Sequence, residues 1–155
     1  MTRHRFRLWD RWLLLSLVLV LAILTTGCHK TDNPVLVTRV IDGDTIEIEG
    51  GYHVRYIGID TPEIGKPYYW EATEANRNLV EGKRVWMEKD VEDKDEYGRL
   101  LRYVWVDNTM VNAELVRQSY AYSYIYPPNT KHQMLILQAE QEAREQKLGL
   151  WAANP

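Results

Sequence analysis

The chain has 155 residues, with 19 basic and 22 acidic side chains, a formal net charge of −3 and a single cysteine. This length fits one domain, and one cysteine excludes an intramolecular disulfide. The negative charge excludes a broad basic surface for holding nucleic acid, so a polyanion must bind through a local cationic site or a bound cation.

The first 27 residues have the composition of an export signal. Four arginines precede an apolar run from Leu13 to Leu24 that only Ser16 interrupts. This run is too short to span a bilayer and matches the core of a signal peptide. Small residues then precede Cys28, as in bacterial lipoproteins, which predicts a lipidated Cys28 at the new N-terminus. An ordinary cleaved signal and an uncleaved anchor are the alternatives.

We therefore expect an exported, membrane-anchored monomer of the cell envelope, or a secreted one. The predicted organisation is a leader helix over 1–27, a tether over 28–34 and one domain over 35–152. Removing the leader removes four arginines and one aspartate, which leaves a net charge of about −6 on the rest of the chain.

The next segments alternate between strand patterns and glycine turns. We predict strands over 35–41, 45–49 and 52–59. Gly43, in the turn between the first two strands, is expected to adopt positive φ. Strict alternation in the third strand would put Arg55 on one face with two isoleucines, where an arginine is costly unless an acid or an anion meets it.

The second half alternates helix and strand patterns. We predict helices over 69–80, 111–118 and 132–147, strands over 84–89 and 100–106, and a charged loop over 90–98. Trp70 is expected on the core side of the first helix. Tyrosine occupies every second position from Tyr120 to Tyr126, which predicts an extended segment with its rings on one face. This element order predicts an α+β fold, a closed five-stranded β-barrel of the oligonucleotide-binding (OB) type with three helices.

Asp44, Asp60 and Glu63 are the acids best placed to meet. Asp44 and Asp60 lie on either side of a hairpin, and strand twist with a bulge can bring both to one end of a barrel. Pro62 ends regular pairing just before Glu63. Carboxylates without a histidine or cysteine nearby suit Ca²⁺ or Mg²⁺. The alternative is that Asp42 and Asp44 only form a hairpin turn.

Two arginines complete a candidate phosphate site. Arg99 begins a strand after the acidic loop and can point into the barrel mouth near Arg55. Two guanidinium groups on one phosphate would neutralise the charge that develops in a pentacoordinate transition state. Ion pairs with the acidic loop are the alternative use of Arg99, although surface pairs contribute little stability. Tyr97 and the tyrosines from 120 to 126 could stack on bases, and we expect two of them to be structural and two to face a ligand.

Several motifs occur in one order: Ile41-Asp42-Gly43-Asp44-Thr45, Arg55 with Asp60-Thr61-Pro62-Glu63, Tyr97-Gly98-Arg99, and Val111-Asn112 with Leu115-Val116-Arg117-Gln118. Together they resemble the staphylococcal nuclease (thermonuclease) family from about residue 35 to 151. The resemblance implies an OB-type barrel and Ca²⁺-dependent hydrolysis of phosphodiester bonds in DNA and RNA.

The resemblance also implies a role for each matching residue. Asp44, Asp60 and the Thr61 carbonyl would bind Ca²⁺; Glu63 would orient or deprotonate the attacking water; Arg55 and Arg99 would bind the scissile phosphate; and Tyr97, Tyr124 and Tyr126 would bind the nucleotide. The alternatives are a non-catalytic nucleic-acid-binding barrel and a structural envelope lipoprotein. Intact acids and arginines at all five matching positions favour the enzyme.

Overall fold

The computed structural model describes residues 33–152. The predictions for the leader over 1–27 and for lipidation of Cys28 concern residues outside this range. In the part of the chain that the structure describes, none of the helices is long and apolar enough to cross a membrane.

The described range contains eight strands and three α-helices. The strands are β1 (Val35–Val40), β2 (Thr45–Ile48), β3 (Tyr52–Tyr56), β4 (Ile59–Asp60), β5 (Arg84–Glu88), β6 (Leu100–Val106), β7 (Thr109–Met110) and β8 (Tyr122–Ser123). The helices are α1 (Tyr69–Val80), α2 (Val111–Arg117) and α3 (Gln133–Gln146), followed by a 3₁₀ turn at Gly149–Trp151.

Five of the strands close into a barrel. Their order is β3-β2-β1-β5-β6, and a parallel pairing between β3 and β6, with Arg55 opposite Leu101, joins the two ends. A register shift between Val37 and Arg39 bends β1, as a bulge does in a closing sheet. The prediction of an α+β fold with a five-stranded OB-type barrel and three helices is confirmed.

The third strand is shorter than its sequence pattern predicts. β3 ends at Tyr56, a turn with Gly58 at φ +83° follows, and β4 pairs with β8 instead of continuing the barrel. Because the turn resets the alternation, Ile57 and Ile59 are both buried in the core. The prediction that they share a face with Arg55 is therefore wrong.

Helix α1 packs on the barrel through one face, with Ala75 and Leu79 partly buried beside it. Its buried residues are Ala72, Thr73, Asn76 and Val80, which recur at helical spacing. Trp70 lies off this face and is 71% exposed, so its predicted place on the core side is wrong.

The tyrosine-rich segment does not form a ladder of rings on one face. Only Tyr122–Ser123 is a strand, and the ring of Tyr122 packs edge-on against Trp151 at 5.2 Å. The rings of Tyr124 and Tyr126 lie 6.3 Å apart on a different side, in the cleft described below. The single-face prediction fails because the pairing of β8 with β4 ends after two residues.

Candidate active site

The turn between β1 and β2 carries the first acid of the site. The N–H of Asp44 donates to Oδ1 of Asp42 at 3.1 Å, so the turn closes on a side chain. Gly43 does not have positive φ, contrary to the sequence-based expectation. A Cβ at Gly43 would lie 2.7 Å from Oγ1 of Thr61. Glycine is needed here because the loop after β4 packs directly on this turn.

The carboxylate of Asp44 is buried and fully engaged. Its Oδ2 accepts hydrogen bonds from the N–H and the hydroxyl of Thr61, both at 3.0 Å. Its Oδ1 accepts one from the Thr45 hydroxyl at 3.1 Å and lies 3.2 Å from Nε of Arg55. Burial raises the pKa of Asp44 to about 6, and the charge of Asp42 adds to that rise, while Arg55 and Thr61 oppose it.

Arg55 brings Asp44 and Asp60 together. Its Nη2 donates to Oδ1 of Asp60 at 3.0 Å, and its Nη1 donates to the carbonyls of Tyr56 and Ile59 at 2.8 Å each. With Nε beside Asp44, four of the five N–H donors of this guanidinium are engaged. The sequence predicted that Arg55 would need an acid or an anion beside it. The structure places the carboxylates of Asp44 and Asp60 there.

Glu63 lies apart from this pair. It is exposed on the loop after β4, and its carboxylate forms no hydrogen bond or ion pair with another side chain in residues 33–152. Across the same range, no three acidic, histidine or cysteine side chains approach closely enough to hold a metal ion together. The structure therefore brings together Asp44, Asp60 and Thr61, and does not bring Glu63 to them.

The oxygen donors at this end of the barrel fit a hard divalent cation. Asp44 is a carboxylate whose pKa is raised chiefly by burial and also by the charge of Asp42, and the Asp60 side chain is 51% exposed beside it. Carboxylate and carbonyl oxygens are the ligands that Ca²⁺ takes. These groups could hold such an ion with Thr61 as a neighbour.

Arg99 enters the site from the loop between β5 and β6. Its Nε donates to Oδ2 of Asp95 at 2.6 Å, and its guanidinium carbon lies 5.5 Å from the centre of the Tyr97 ring. The Asp95 side chain is only 8% exposed, so this pair is not the weak surface pair that the sequence suggested.

A cleft of about 510 Å³ joins the arginines and the tyrosines. Its charged and aromatic lining consists of Arg55, Tyr56, Glu92, Lys94, Asp95, Glu96, Tyr97, Arg99, Tyr124 and Tyr126. Burial and the nearby carboxylates Glu92, Asp95 and Glu96 raise the pKa of Tyr126, which keeps its hydroxyl neutral. The cleft thus combines an anion-binding side with rings that can stack on bases.

Sequence reasoning missed the residues that support the site. The buried Asn76 of α1 accepts a hydrogen bond from the hydroxyl of Tyr56 and donates to the carbonyl of Asp42, both at 2.9 Å. It therefore connects the barrel to the acidic turn. An asparagine at a core position of a helical stripe was the available signal, because buried polar groups require partners. The sequence offered an ion pair between Arg99 and the acidic loop as an alternative, but it could not single out Asp95 among the acids of that loop.

Comparisons with known proteins decide the family. The family model of the staphylococcal nuclease homologue matches residues 53–153. A thermonuclease of Staphylococcus intermedius is 43% identical over 125 residues, which cover 75% of this chain and 74% of that protein.

The chain belongs to the staphylococcal nuclease family. Two Bacillus subtilis proteins extend the likeness. The endonuclease YncB is 41% identical over 131 residues, with 77% of this chain and 62% of that protein covered. The prophage-derived endonuclease YokF is 40% identical over 131 residues, which cover 77% of this chain and 44% of that protein. The match to the family model includes Arg55, Asp60, Glu63 and Arg99, whereas Asp44 precedes the matched residues.

Proposed function

We propose that this chain is a nuclease that hydrolyses phosphodiester bonds in DNA or RNA with the help of a bound Ca²⁺ ion. Membership of the staphylococcal nuclease family makes it a phosphodiester-hydrolysing enzyme. The observation that carries the proposal is the position of Arg55. This arginine lines the cleft with Arg99 and the tyrosines, and its guanidinium also binds Asp44 and Asp60.

We assign Ca²⁺ binding to Asp44, Asp60 and the Thr61 carbonyl. The raised pKa of the buried Asp44 supports this assignment, because a bound cation would favour the ionised carboxylate. When bound, Ca²⁺ supplies positive charge for the phosphate and polarises a water molecule. Thr61 keeps Asp44 oriented through two hydrogen bonds.

The protein's own groups bind the phosphate and move the proton. Arg99 and the remaining N–H of Arg55 bind the non-bridging oxygens of the scissile phosphate, where negative charge increases in the transition state. We assign the acceptance of a proton from the attacking water to Glu63, because the match to the family model includes it, although its carboxylate lies apart from Asp44 and Asp60 in the structure. The water oxygen then bonds to phosphorus while the bond from phosphorus to the leaving ester oxygen breaks, and the leaving oxygen takes a proton from solvent.

The tyrosines bind the nucleotide next to the scissile bond. Tyr97 is 77% exposed and Tyr124 is 53% exposed, so both rings are accessible to a base. Stacking on an aromatic ring contributes roughly 1–3 kcal/mol per base with little sequence preference. We therefore propose a substrate with unpaired bases in the cleft.

The first experiment measures cleavage of labelled single-stranded DNA and RNA by the purified full chain. We expect acid-soluble products with Ca²⁺ and none after addition of the chelator EGTA. Binding of the DNA without cleavage under both conditions would contradict the enzyme and favour a binding module. Equal cleavage with and without Ca²⁺ would contradict the assigned cofactor.

The second experiment tests the assigned residues. Arg99→Ala and Glu63→Ala should each lower kcat by about two to three orders of magnitude while the urea unfolding midpoint changes little. Arg84→Ala is the matched control. Arg84 is an exposed arginine at the start of strand β5, where it pairs with Glu49. Full activity in either site variant would reject the mechanism.

Location at the cell envelope and a monomeric state are also proposals. The location rests on the sequence of the leader, with an apolar core and small residues before Cys28. We expect bacteria expressing the chain to incorporate labelled fatty acid into it, and Cys28→Ala to abolish that label. Light scattering of the purified protein should give the mass of one chain. Labelling of Cys28→Ala, or a dimer mass, would contradict these proposals.

A further inference from the structure

The loop between β5 and β6 folds around the side chain of Asp95. Oδ1 of Asp95 accepts hydrogen bonds from the N–H of Tyr97 at 3.0 Å and from the N–H of Arg99 at 2.9 Å. Its Oδ2 accepts the bond from Nε of Arg99 at 2.6 Å. The backbone closes the same turn, since Asp95 and Arg99 are joined by a main-chain hydrogen bond of 3.1 Å. One buried carboxylate therefore fixes both the backbone and the side chain of Arg99.

The bond to Nε leaves the outer part of the Arg99 guanidinium available. Nη1 and Nη2 have no protein hydrogen-bond partner within residues 33–152, and the side chain is 30% exposed where it lines the cleft. Two parallel N–H groups on a planar fork match two oxygens of a phosphate. Arg55 differs, because its contacts with Asp44, Asp60 and two carbonyls engage four of its five donors.

We propose that Asp95 is a positioning residue, whose carboxylate holds Arg99 so that Nη1 and Nη2 face the scissile phosphate. This inference rests on the proposed nuclease function. Without the carboxylate, the Arg99 side chain would rotate and could pair with Glu92 or Glu96, which line the same cleft. Holding the guanidinium in place removes the cost of ordering it in the transition state.

The test compares Asp95→Asn with wild type in the purified full chain. Asparagine keeps an oxygen for the backbone N–H groups but presents an NH₂ group to Nε of Arg99, so the ion pair is lost. We expect kcat on single-stranded DNA with Ca²⁺ to fall 10–100-fold, as is typical when a supporting residue is removed. KM should change less than threefold, and the Ca²⁺ affinity measured by calorimetry should not change.

Asp93→Asn is the matched control. Asp93 lies in the same loop and pairs with Arg102 at 2.8 Å, but it does not line the cleft. We expect Asp93→Asn to retain the wild-type kcat. A fall in kcat equal to that of Asp95→Asn would overturn the proposal, because it would show that any ion pair of this loop has the same effect.

A double-mutant cycle separates positioning from a structural effect. In an Arg99→Ala background, Asp95→Asn should lower kcat less than twofold, because its route to the phosphate is already absent. A further 10–100-fold loss in that background, or a fully active Asp95→Asn single variant, would overturn the proposal.

Asp95→Glu keeps the charge but moves it by one methylene, so its kcat should lie between those of wild type and Asp95→Asn. If Asp95→Asn does not fold, Asp95→Glu carries the same cycle. The fall in kcat caused by Asp95→Glu should then appear when Arg99 is present and vanish in the Arg99→Ala background. An equal fall in both backgrounds would reject the proposal. Lack of any Ca²⁺-dependent cleavage by wild type would instead reject the proposed function itself.

Discussion

Asp44 carries a charge that is costly to the fold and that the proposed site uses. Burial raises its pKa to about 6 from a usual value of 3.8, so the folded state binds a proton more tightly than the unfolded state. Stability tied to this group is therefore present below pH 4 and is lost as the pH rises towards 6. A cation bound to the ionised Asp44 carboxylate would restore the stability that is lost when this group ionises.

This linkage gives a prediction for Asp44→Asn. In chelator, the free energy of unfolding of wild type relative to Asp44→Asn should fall by up to about 3 kcal/mol between pH 4 and pH 6.5. Saturating Ca²⁺ should recover most of that loss for wild type and none for the variant. Urea unfolding across this pH range measures the difference in free energy of unfolding. Parallel curves of that free energy against pH for the two proteins would contradict the prediction.

Gly43 shows how closely two loops must approach for the acids to meet. A methyl group there would lie 2.7–2.8 Å from three atoms of the Thr61 side chain, and Thr61 holds Oδ2 of Asp44. We predict that Gly43→Ala costs about 1–3 kcal/mol of stability and weakens Ca²⁺ binding at least tenfold in calorimetry.

Gly82→Ala is the control for that substitution. Gly82 has φ +73° with open space around its Cα, so alanine there adds backbone strain without a collision. It should lower the urea midpoint and leave Ca²⁺ affinity unchanged. Equal Ca²⁺ affinities for Gly43→Ala and wild type would show that the close approach has no part in the site.

At the level of secondary-structure elements, the buried Glu88 connects the barrel to the residues just before helix α3. Glu88, the last residue of β5, is fully buried, and it contacts the Nζ of Lys131 and Nε2 of His132 at 2.9 Å. Burial acts to raise the pKa of Glu88, but hydrogen bonds from Lys131 and His132 hold it below its usual value. These partners immediately precede α3.

We predict that Glu88→Gln lowers the free energy of unfolding by about 3 kcal/mol at pH 7, because a buried ion pair loses one partner. Since the pKa of Glu88 is depressed, wild type keeps this stability above about pH 4.5 and loses it at lower pH. The difference between wild type and variant should therefore shrink in acid.

The control for this prediction is Glu142→Gln. Glu142 also has a lowered pKa through a bond to Arg117, but it lies on the surface, so urea unfolding should change little. A difference between wild type and Glu88→Gln that stays constant down to pH 3 would contradict the role assigned to the carboxylate charge.

At the scale of the whole molecule, the negative charge limits how the chain can bind a polyanion. Two arginines of the cleft are assigned to the phosphate, while Glu92 and Glu96 line the same space. Single strands release counterions with a slope of about −0.7 per phosphate contact. We predict a shallow salt dependence, with a slope of log(1/KM) against log[KCl] of about −1.4.

Steady-state cleavage between 50 and 300 mM KCl at constant Ca²⁺ measures this slope. Arg99→Ala should make it shallower by about 0.7. Arg39→Ala is the control, because the exposed Arg39 pairs with Glu47 and does not line the cleft, so it should leave the slope unchanged. A slope near −4 would show a basic contact surface that the charge distribution argues against.

Sequence pattern and motif order are enough to predict the barrel, its helices and the kinds of side chain in the site. Helix α1 and strand β6 have the bounds that periodicity predicted, because a 3.6-residue or two-residue repeat of apolar residues reflects burial directly. Motifs in a fixed order identified Asp44, Asp60, Arg55 and Arg99, and the structure brings the first three into contact.

How those groups meet depends on the folded chain. Local pattern could not show that a turn after Tyr56 sends Ile57 and Ile59 into the core, that Gly43 makes room for Thr61, or that Asp95 binds Arg99. Each of these three features depends on contacts between atoms that only the folded backbone brings together, either from distant segments or across one closed loop. Packing and hydrogen-bond geometry select among the alternatives that propensity leaves open, and these are properties of the folded chain.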